Sequence, residues 1–100
     1  MQHRDFVDET EKLLMRCKRV LEKKAELYAP EDDRLSQFKT MAVLEDTTPI
    51  QALGGAMAKH TATLYHLINY SGSEKQWAET LVDHINYLIL LNALLKEKEE

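Results

Sequence analysis

The sequence predicts an all-α fold, a four-helix antiparallel bundle. Glycine and proline are scarce, with three and two among 100 residues. Runs rich in β-branched residues are absent, and apolar residues recur at helical spacing in four segments separated by turn-forming residues. We expect a single domain over residues 1–100, with helices at about 4–28, 34–44, 49–70 and 74–96.

The first predicted helix has one apolar and one charged face. The apolar positions are Phe6, Leu13, Leu14, Cys17, Val20, Leu21, Ala25 and Tyr28. Pro30 ends this helix because proline cannot continue the backbone hydrogen bonding. The acidic residues 31–33 offer a turn and an N-cap for the second helix. That helix is expected to present Leu35, Phe38, Met41 and Ala42 inward.

The third and fourth helices have clear start signals. Thr48 can cap, Pro49 suits the first helical position, and Gln51 completes a capping box. Ser71-Gly72-Ser73 ends the third helix, and Ser73 with Gln76 forms the same motif for the fourth. Gly54 and Gly55 lie inside the third helix, where glycine is unfavourable, so we expect a neighbouring backbone to approach closely there.

Composition argues against several functional classes. The formal net charge is −4, without the clustered Lys and Arg that nucleic-acid binding needs, so we expect no nucleic-acid partner. No stretch is apolar over a length that spans a bilayer, and the charged start lacks a signal-peptide core. Cys17, the only cysteine, cannot form an internal disulfide and falls on the apolar face, so we expect it to be buried rather than nucleophilic. A cytoplasmic location is the expectation, the host cytoplasm if the protein is phage-encoded.

The fourth helix indicates self-assembly. From Leu81 to Leu95 apolar residues occupy every side, and a helix that is hydrophobic all round is buried all round. Three other short helices can hardly surround it. We therefore expect one of its faces to meet another copy, giving a homodimer or a homotetramer.

Two acidic pairs are candidates for chemistry. Glu79 and Asp83 share a face of the fourth helix with Asn86, and Glu22 and Glu26 are four apart on the first. If the pairs face each other, their oxygens suit Mg²⁺. The alternatives stay open: Glu22 and Glu26 as solvated surface residues, and Asp83 in an internal salt bridge, for instance to Lys59 or Arg34.

Lys59 and His60 interrupt the third helix with polar side chains. Lys59 could neutralise a phosphate and His60 could donate a hydrogen bond. Equally, Lys59 could extend to water and His60 could be a satisfied core histidine. Because no phosphate-binding glycine loop, nucleophile motif or zinc-ligand spacing is present, any catalysis would use metal-activated water.

Two segments resemble the MazG-like all-α nucleotide pyrophosphohydrolases. The segment from Glu79 to Tyr87, ETLVDHINY followed by LILL, resembles their Glu-Glu-Leu-x-Asp motif. The segment LEKKAELY at 21–28 is similar to the start of small phage and prophage proteins related to that group. An Arg34-Leu35-x-x-Phe38 segment, a Thr48-Pro49 helix start and a mid-helix Lys59 follow in the family's order, so the similarity covers roughly residues 18–95.

The resemblance implies a reaction and a set of site residues. Acidic residues on two helices would bind Mg²⁺, and water would attack between the α- and β-phosphates of a nucleoside triphosphate. Glu79 and Asp83 match the second acidic motif, and Glu22 and Glu26 are the nearest counterparts of the first. Asn86 and Tyr87 would lie by the base or sugar, and Lys59 by the phosphates.

The motifs depart from the family pattern, and this leaves rival functions. The first motif keeps only Glu22 and Glu26, and Thr80 stands where the second often has another Glu. The main rival is a non-catalytic helical interaction or regulatory protein, in which a basic side chain neutralises Asp83. A nucleotide-binding protein without turnover is the third possibility.

Overall fold

The computed structural model describes residues 1–28 and 33–99, and these are entirely helix, turn and short connections. In chain order the helices are α1 (His3–Tyr28), α2 (Ser36–Glu45), α3 (Pro49–Tyr70) and α4 (Glu74–Glu99). No strand occurs within the described ranges. The predicted all-α fold class is confirmed, and each predicted helix corresponds to an observed one.

The core of the domain is formed by α2, α3 and α4. Leu35, Phe38, Leu53 and Leu94 make a buried cluster, with partly buried apolar side chains packed around it. Ile50 near the start of α3 packs against this cluster beside Leu94, near the end of α4, so the two helices run antiparallel. The prediction that Leu35, Phe38 and Ala42 point inward is confirmed, since all three are buried.

Both predicted capping boxes are present. At α3 the Gln51 backbone N–H donates to Thr48 Oγ1 over 3.2 Å, and Gln51 Oε1 accepts from the Thr48 backbone N–H over 3.2 Å. At α4 the Gln76 N–H donates to Ser73 Oγ over 3.1 Å, and Gln76 Oε1 accepts from the Ser73 N–H over 2.8 Å. These contacts satisfy N–H groups that a helix start otherwise leaves without partners.

The start of α2 differs from the prediction. The helix begins at Ser36, and its N-cap position, Leu35, makes no side-chain cap. Asp33 lies further upstream, where its Oδ1 accepts from the Leu35 N–H over 3.0 Å and its Oδ2 pairs with Lys39 Nζ over 2.6 Å. Its carboxylate therefore organises the turn before the helix. The other predicted turn residues, Pro30, Glu31 and Asp32, lie outside the described residues.

The expected close approach at Gly54 and Gly55 is wrong. A Cβ added at either glycine would have no heavy atom of a neighbouring element within 4 Å, and both residues are exposed. The small-residue side of α3 thus faces away from the core. The buried side of this segment is formed by Ala52 and Leu53.

Helix α1 packs mainly on α4, through the second half of its apolar face. Cys17 is 1% exposed, which confirms its predicted burial, and desolvation raises the pKa of its thiol. The first half differs from the prediction, because Phe6 and Leu14 are 58% and 53% exposed. Residues 3–12 are all exposed, so the apolar face of α1 continues beyond the surface that covers it.

The outward face of α4 is apolar and open to solvent. Leu81, Leu88, Ile89 and Leu95 are all exposed. From Thr80 to Leu95 the only Asp, Glu, Lys or Arg is Asp83. Within the described part of the chain no helix has the length and apolar character that would let it cross a membrane.

Candidate functional site

A polar cavity lies where α1, α3 and α4 meet the start of α2. Its volume is about 240 Å³. Its lining combines charged, amide and aromatic side chains with a few apolar ones. The lining residues are Leu21, Lys24, Arg34, Gln37, Phe38, His60, Asp83, Asn86, Tyr87 and Leu90.

Asp83 is the acidic residue of this cavity, and two groups flank its carboxylate. Lys24 Nζ on α1 donates to Asp83 Oδ1 over 3.2 Å. His60 Nδ1 on α3 lies 3.9 Å from Asp83 Oδ2. A charge taken out of water needs such partners, and here they come from two other helices. The Lys24–Asp83 pair therefore ties α1 to α4 electrostatically, and α3 contributes the neighbouring His60 ring.

Asn86 stands one helical turn after Asp83 and is buried. Its Nδ2 donates to the Cys17 carbonyl over 3.1 Å, which joins α4 to α1. Its Oδ1 is buried as well, without a hydrogen-bond partner among the described residues. An unpaired buried acceptor costs about 1–3 kcal/mol. This oxygen exposes less than 1 Å² to solvent, so a ligand N–H or O–H group would reach it only after the Asn86 side chain moved.

Two further features of the cavity lining are an arginine side chain and a pair of neighbouring rings. Arg34, between α1 and α2, lines it and donates from Nη2 to the Leu21 carbonyl over 3.5 Å. The rings of His60 and Tyr87 lie with centroids 4.8 Å apart and a 42° tilt. Lys24 and Arg34 can thus supply positive charge, while the Tyr87 ring supplies an aromatic surface.

The structure brings together four of the eight predicted site residues. His60, Asp83, Asn86 and Tyr87 all line the cavity. Lys59, the residue before His60 on α3, does not line the cavity and is exposed. The internal salt bridge considered for Asp83 is present, but its partner is Lys24 rather than Lys59 or Arg34.

The remaining predicted ligands lie elsewhere. Glu22 lines a separate groove beside Ile89 and Glu97. Glu26 is exposed, and Glu79 lies on the surface of α4 with its Oε1 3.9 Å from Lys75 Nζ.

Among residues 1–28 and 33–99, no three His, Cys, Asp or Glu side chains are grouped as a metal ion requires. Within one copy of the chain these carboxylates therefore do not fit Mg²⁺, and magnesium binding stays a prediction.

Sequence reasoning missed Lys24 and Gln37, and it named Arg34 only as a possible salt-bridge partner of Asp83. Lys24 had a detectable signal, because it follows Cys17 by seven residues and Leu21 by three. That spacing puts a cation on the apolar face of α1, where it needs an acidic partner on the helix opposite. Arg34 lies just before α2 and Gln37 lies within it, and no local pattern encodes where α2 packs.

Comparison with known proteins adds no relative to this description. No family model matches the chain, and neither the curated proteins nor the solved structures contain a match.

Proposed function

We propose that the central cavity binds a small phosphate-bearing ligand of the nucleotide class. One observation carries this proposal: polar side chains from α1, α3, α4 and the start of α2 converge on a single cavity. Lys24 and Arg34 are the groups that would meet an anion, as cationic donors form the stronger, charge-assisted hydrogen bonds. Asp83 holds Lys24 at the cavity wall over 3.2 Å.

The rest of the lining favours a ligand with more than an anionic group. Asn86 lines the cavity, and an amide side chain can exchange hydrogen bonds with a sugar hydroxyl or a base amine. The Tyr87 ring offers an aromatic surface beside it for a planar base. Nucleotides combine these three chemistries, which agrees with the resemblance to MazG-like proteins.

Binding without turnover is the form of this proposal that the geometry favours. Asp83 is the only one of the four predicted metal ligands at the cavity, and Lys24 already pairs with it. Mg²⁺-dependent hydrolysis of a nucleoside triphosphate, implied by the resemblance, stays a prediction. So do the finer fold relationship to that family and a phage origin.

Thermal melting with defined ligands tests the proposal. The probes are inorganic phosphate, nucleosides, and nucleoside mono- and triphosphates, each with and without Mg²⁺. A ligand at a hundred times its Kd adds about 2.7 kcal/mol of stability. We expect nucleotides to raise Tm, and no rise with any probe at millimolar concentration overturns the proposal. Release of pyrophosphate from a triphosphate, dependent on Mg²⁺ and lost in Asp83→Asn, would instead establish the hydrolase.

Lys24 and Lys23 offer a matched pair of variants. They are adjacent on α1, but only Lys24 lines the cavity, and Lys23 is exposed. We expect Lys24→Met to weaken nucleotide binding at least tenfold and Lys23→Met to leave it within twofold. Equal losses would mean that the ligand follows surface charge rather than the cavity.

The second candidate function is that of a non-catalytic interaction protein, and two observations favour it. The Asp83 charge is met by Lys24 within the chain, as that function predicts. Phe6 and Leu14 on α1 and Leu88 on α4 leave apolar surface exposed. This candidate predicts that no nucleotide changes Tm, so the same melting series separates the two.

A further inference from the structure

The central cavity is small for a nucleotide with a polyphosphate chain. Its volume is about 240 Å³. Pockets that enclose a drug-sized ligand usually measure about 300–1,000 Å³. A nucleoside monophosphate is the smallest member of the nucleotide class, and each further phosphoryl group lengthens the chain that the cavity must accommodate. The volume therefore favours a ligand with a short phosphate chain.

The charges that line the cavity nearly cancel. Among the residues that the structure describes, the lining contains two cationic side chains, Lys24 and Arg34, and one carboxylate, Asp83. Lys24 Nζ lies 3.2 Å from Asp83 Oδ1, so these two charges offset each other. Arg34 Nη2 donates to the neutral Leu21 carbonyl over 3.5 Å, a contact that does not offset the charge of the guanidinium. With histidine counted as neutral, this lining has one positive charge in excess.

One excess positive charge suits a single phosphoryl group better than a chain of them. A phosphomonoester carries a charge of about −1.5 to −2 at pH 7, and each added phosphoryl group brings further negative charge. Charges that enter a partly buried site without partners are costly. The whole chain has a formal net charge of −4, which repels a polyanion at longer range. Local and overall charge therefore both oppose a di- or triphosphate.

Asp83 is the side chain that would respond to the length of the phosphate chain. A phosphate bound by Lys24 would lie close to the Asp83 carboxylate, because the lysine and the aspartate are in contact. The Asp83 side chain is 25% exposed, so water screens this repulsion only in part. The repulsion grows with the number of negative charges that the ligand brings into the cavity. The Lys24 ammonium also opposes the approach of Mg²⁺ to this carboxylate.

We propose that the ligand of this cavity is a nucleoside monophosphate, and that Asp83 is the specificity-determining residue that disfavours di- and triphosphates. The inference rests on the proposed nucleotide binding and adds the substrate class. Asp83 holds Lys24 at the cavity wall and repels phosphoryl groups beyond the first. A triphosphate, the substrate that the resemblance to MazG-like proteins implies, is the ligand that this cavity binds least well.

Isothermal titration calorimetry of the full chain measures the Kd of each ligand. The probes are the mono-, di- and triphosphates of the common ribonucleosides, with EDTA present so that no metal ion offsets the phosphate charge. For each nucleoside that binds, we expect Kd to rise at least tenfold from the monophosphate to the triphosphate. Attraction to exposed lysine and arginine side chains would give the opposite order, because it increases with the charge of the ligand.

Asp83→Asn and Glu79→Gln form a matched pair of variants. The two residues lie one turn apart on α4 and each change removes one negative charge, but the Glu79 side chain is 64% exposed and does not line the cavity. We expect Asp83→Asn to bring the Kd values of mono- and triphosphate within threefold, and Glu79→Gln to leave their ratio as in the wild type. Circular dichroism checks that both variants fold. A purely structural role of Asp83 would weaken all ligands alike and leave the ratio unchanged.

Four results would overturn the inference. A triphosphate that binds the wild type as tightly as the monophosphate would remove the selection and leave nucleotide binding intact. A ratio that changes equally in Asp83→Asn and Glu79→Gln, or in neither, would mean that Asp83 does not set it. A triphosphate that binds more tightly than the monophosphate only with Mg²⁺, and only when Asp83 is present, would make Asp83 a metal ligand. Binding of no nucleotide at all would overturn the inference together with the proposed function.

Discussion

Lys24 Nζ lies 3.2 Å from Asp83 Oδ1, and this contact joins α1 to α4 across 59 positions of the sequence. The lysine side chain is 48% exposed and the aspartate side chain 25%, so water screens the pair only in part. The contact is where the first helix, held elsewhere by apolar packing and by the Asn86–Cys17 hydrogen bond, meets the polar cavity.

A double-mutant cycle on Lys24→Met and Asp83→Asn should give a coupling free energy of about 1 kcal/mol, because each partner offsets the desolvation of the other. The measurement is urea unfolding of the wild type, both single variants and the double variant. The control is the cycle on Lys75 and Glu79, a 3.9 Å pair that is far more exposed, for which we expect less than about 0.5 kcal/mol. If the coupling free energy of the control pair were as large as that of Lys24 and Asp83, partial burial would not be the cause of the stronger coupling.

Replacing Asn86 with alanine should destabilise the protein by about 1–3 kcal/mol, since the change removes a buried hydrogen bond to the Cys17 carbonyl and leaves a void. Urea unfolding measures the loss. Asn92→Ala on the same helix is the matched control, because Asn92 is exposed and its replacement should change stability by less than about 0.5 kcal/mol. Similar values for the two variants would argue against the buried contact.

Gly54→Ala should stabilise the protein by about 1 kcal/mol, because alanine is the better helix former and its Cβ meets no neighbouring element within 4 Å. For a domain of this size that corresponds to a rise in Tm of about 4–8 °C. Gly72→Ala should have the opposite sign, since its Cβ would crowd Leu67 Cδ2 and lie 2.9 Å from Gln76 Oε1, the acceptor of the α4 capping box. A loss of stability in Gly54→Ala would mean that α3 is covered on this side.

The acid sensitivity of the fold should depend on Lys39. Its hydrogen bond to Asp33, with a further one from the Leu35 N–H, lowers the pKa of Asp33 below its ordinary value of 3.8. A lowered pKa means that the carboxylate stabilises the fold at higher pH, and that this contribution is lost as the pH falls through the lowered pKa. Lys39→Met should therefore flatten the decrease in Tm at acid pH. Lys12→Met, which breaks an exposed pair with Glu9, should leave the decrease unchanged.

Local chemistry predicted the helix boundaries well and predicted the site in part. Thr48 with Gln51 and Ser73 with Gln76 are short-range signals, and the structure contains both capping boxes. Asp83 and Asn86 could be recognised as polar interruptions of an apolar helix. Their partners, Lys24 and the Cys17 carbonyl, come from a helix more than 55 positions away. The spacing of Lys24 indicates a cation on the apolar face of α1, but no local pattern pairs it with Asp83.

The errors have a common physical origin. Phe6, Gly54 and Gly55 were assigned to contacts because of their type and spacing. Periodicity shows that a face is apolar, but it does not show what covers it. Phe6 belongs to the apolar face of α1 but lies beyond the surface of α4 that covers this face, so it is exposed. Gly54 is unfavourable inside a helix, and no neighbouring element approaches closely enough to require a glycine there.

The buried cluster of Leu35, Phe38, Leu53 and Leu94 contains no residue of α1. Helix α1 can therefore separate from α4 at a lower free-energy cost than unfolding of the remaining three helices, as a local opening unit. Because Leu21 and Lys24 form one wall of the cavity, such an opening would expose its interior and provide a route for molecules to enter and leave.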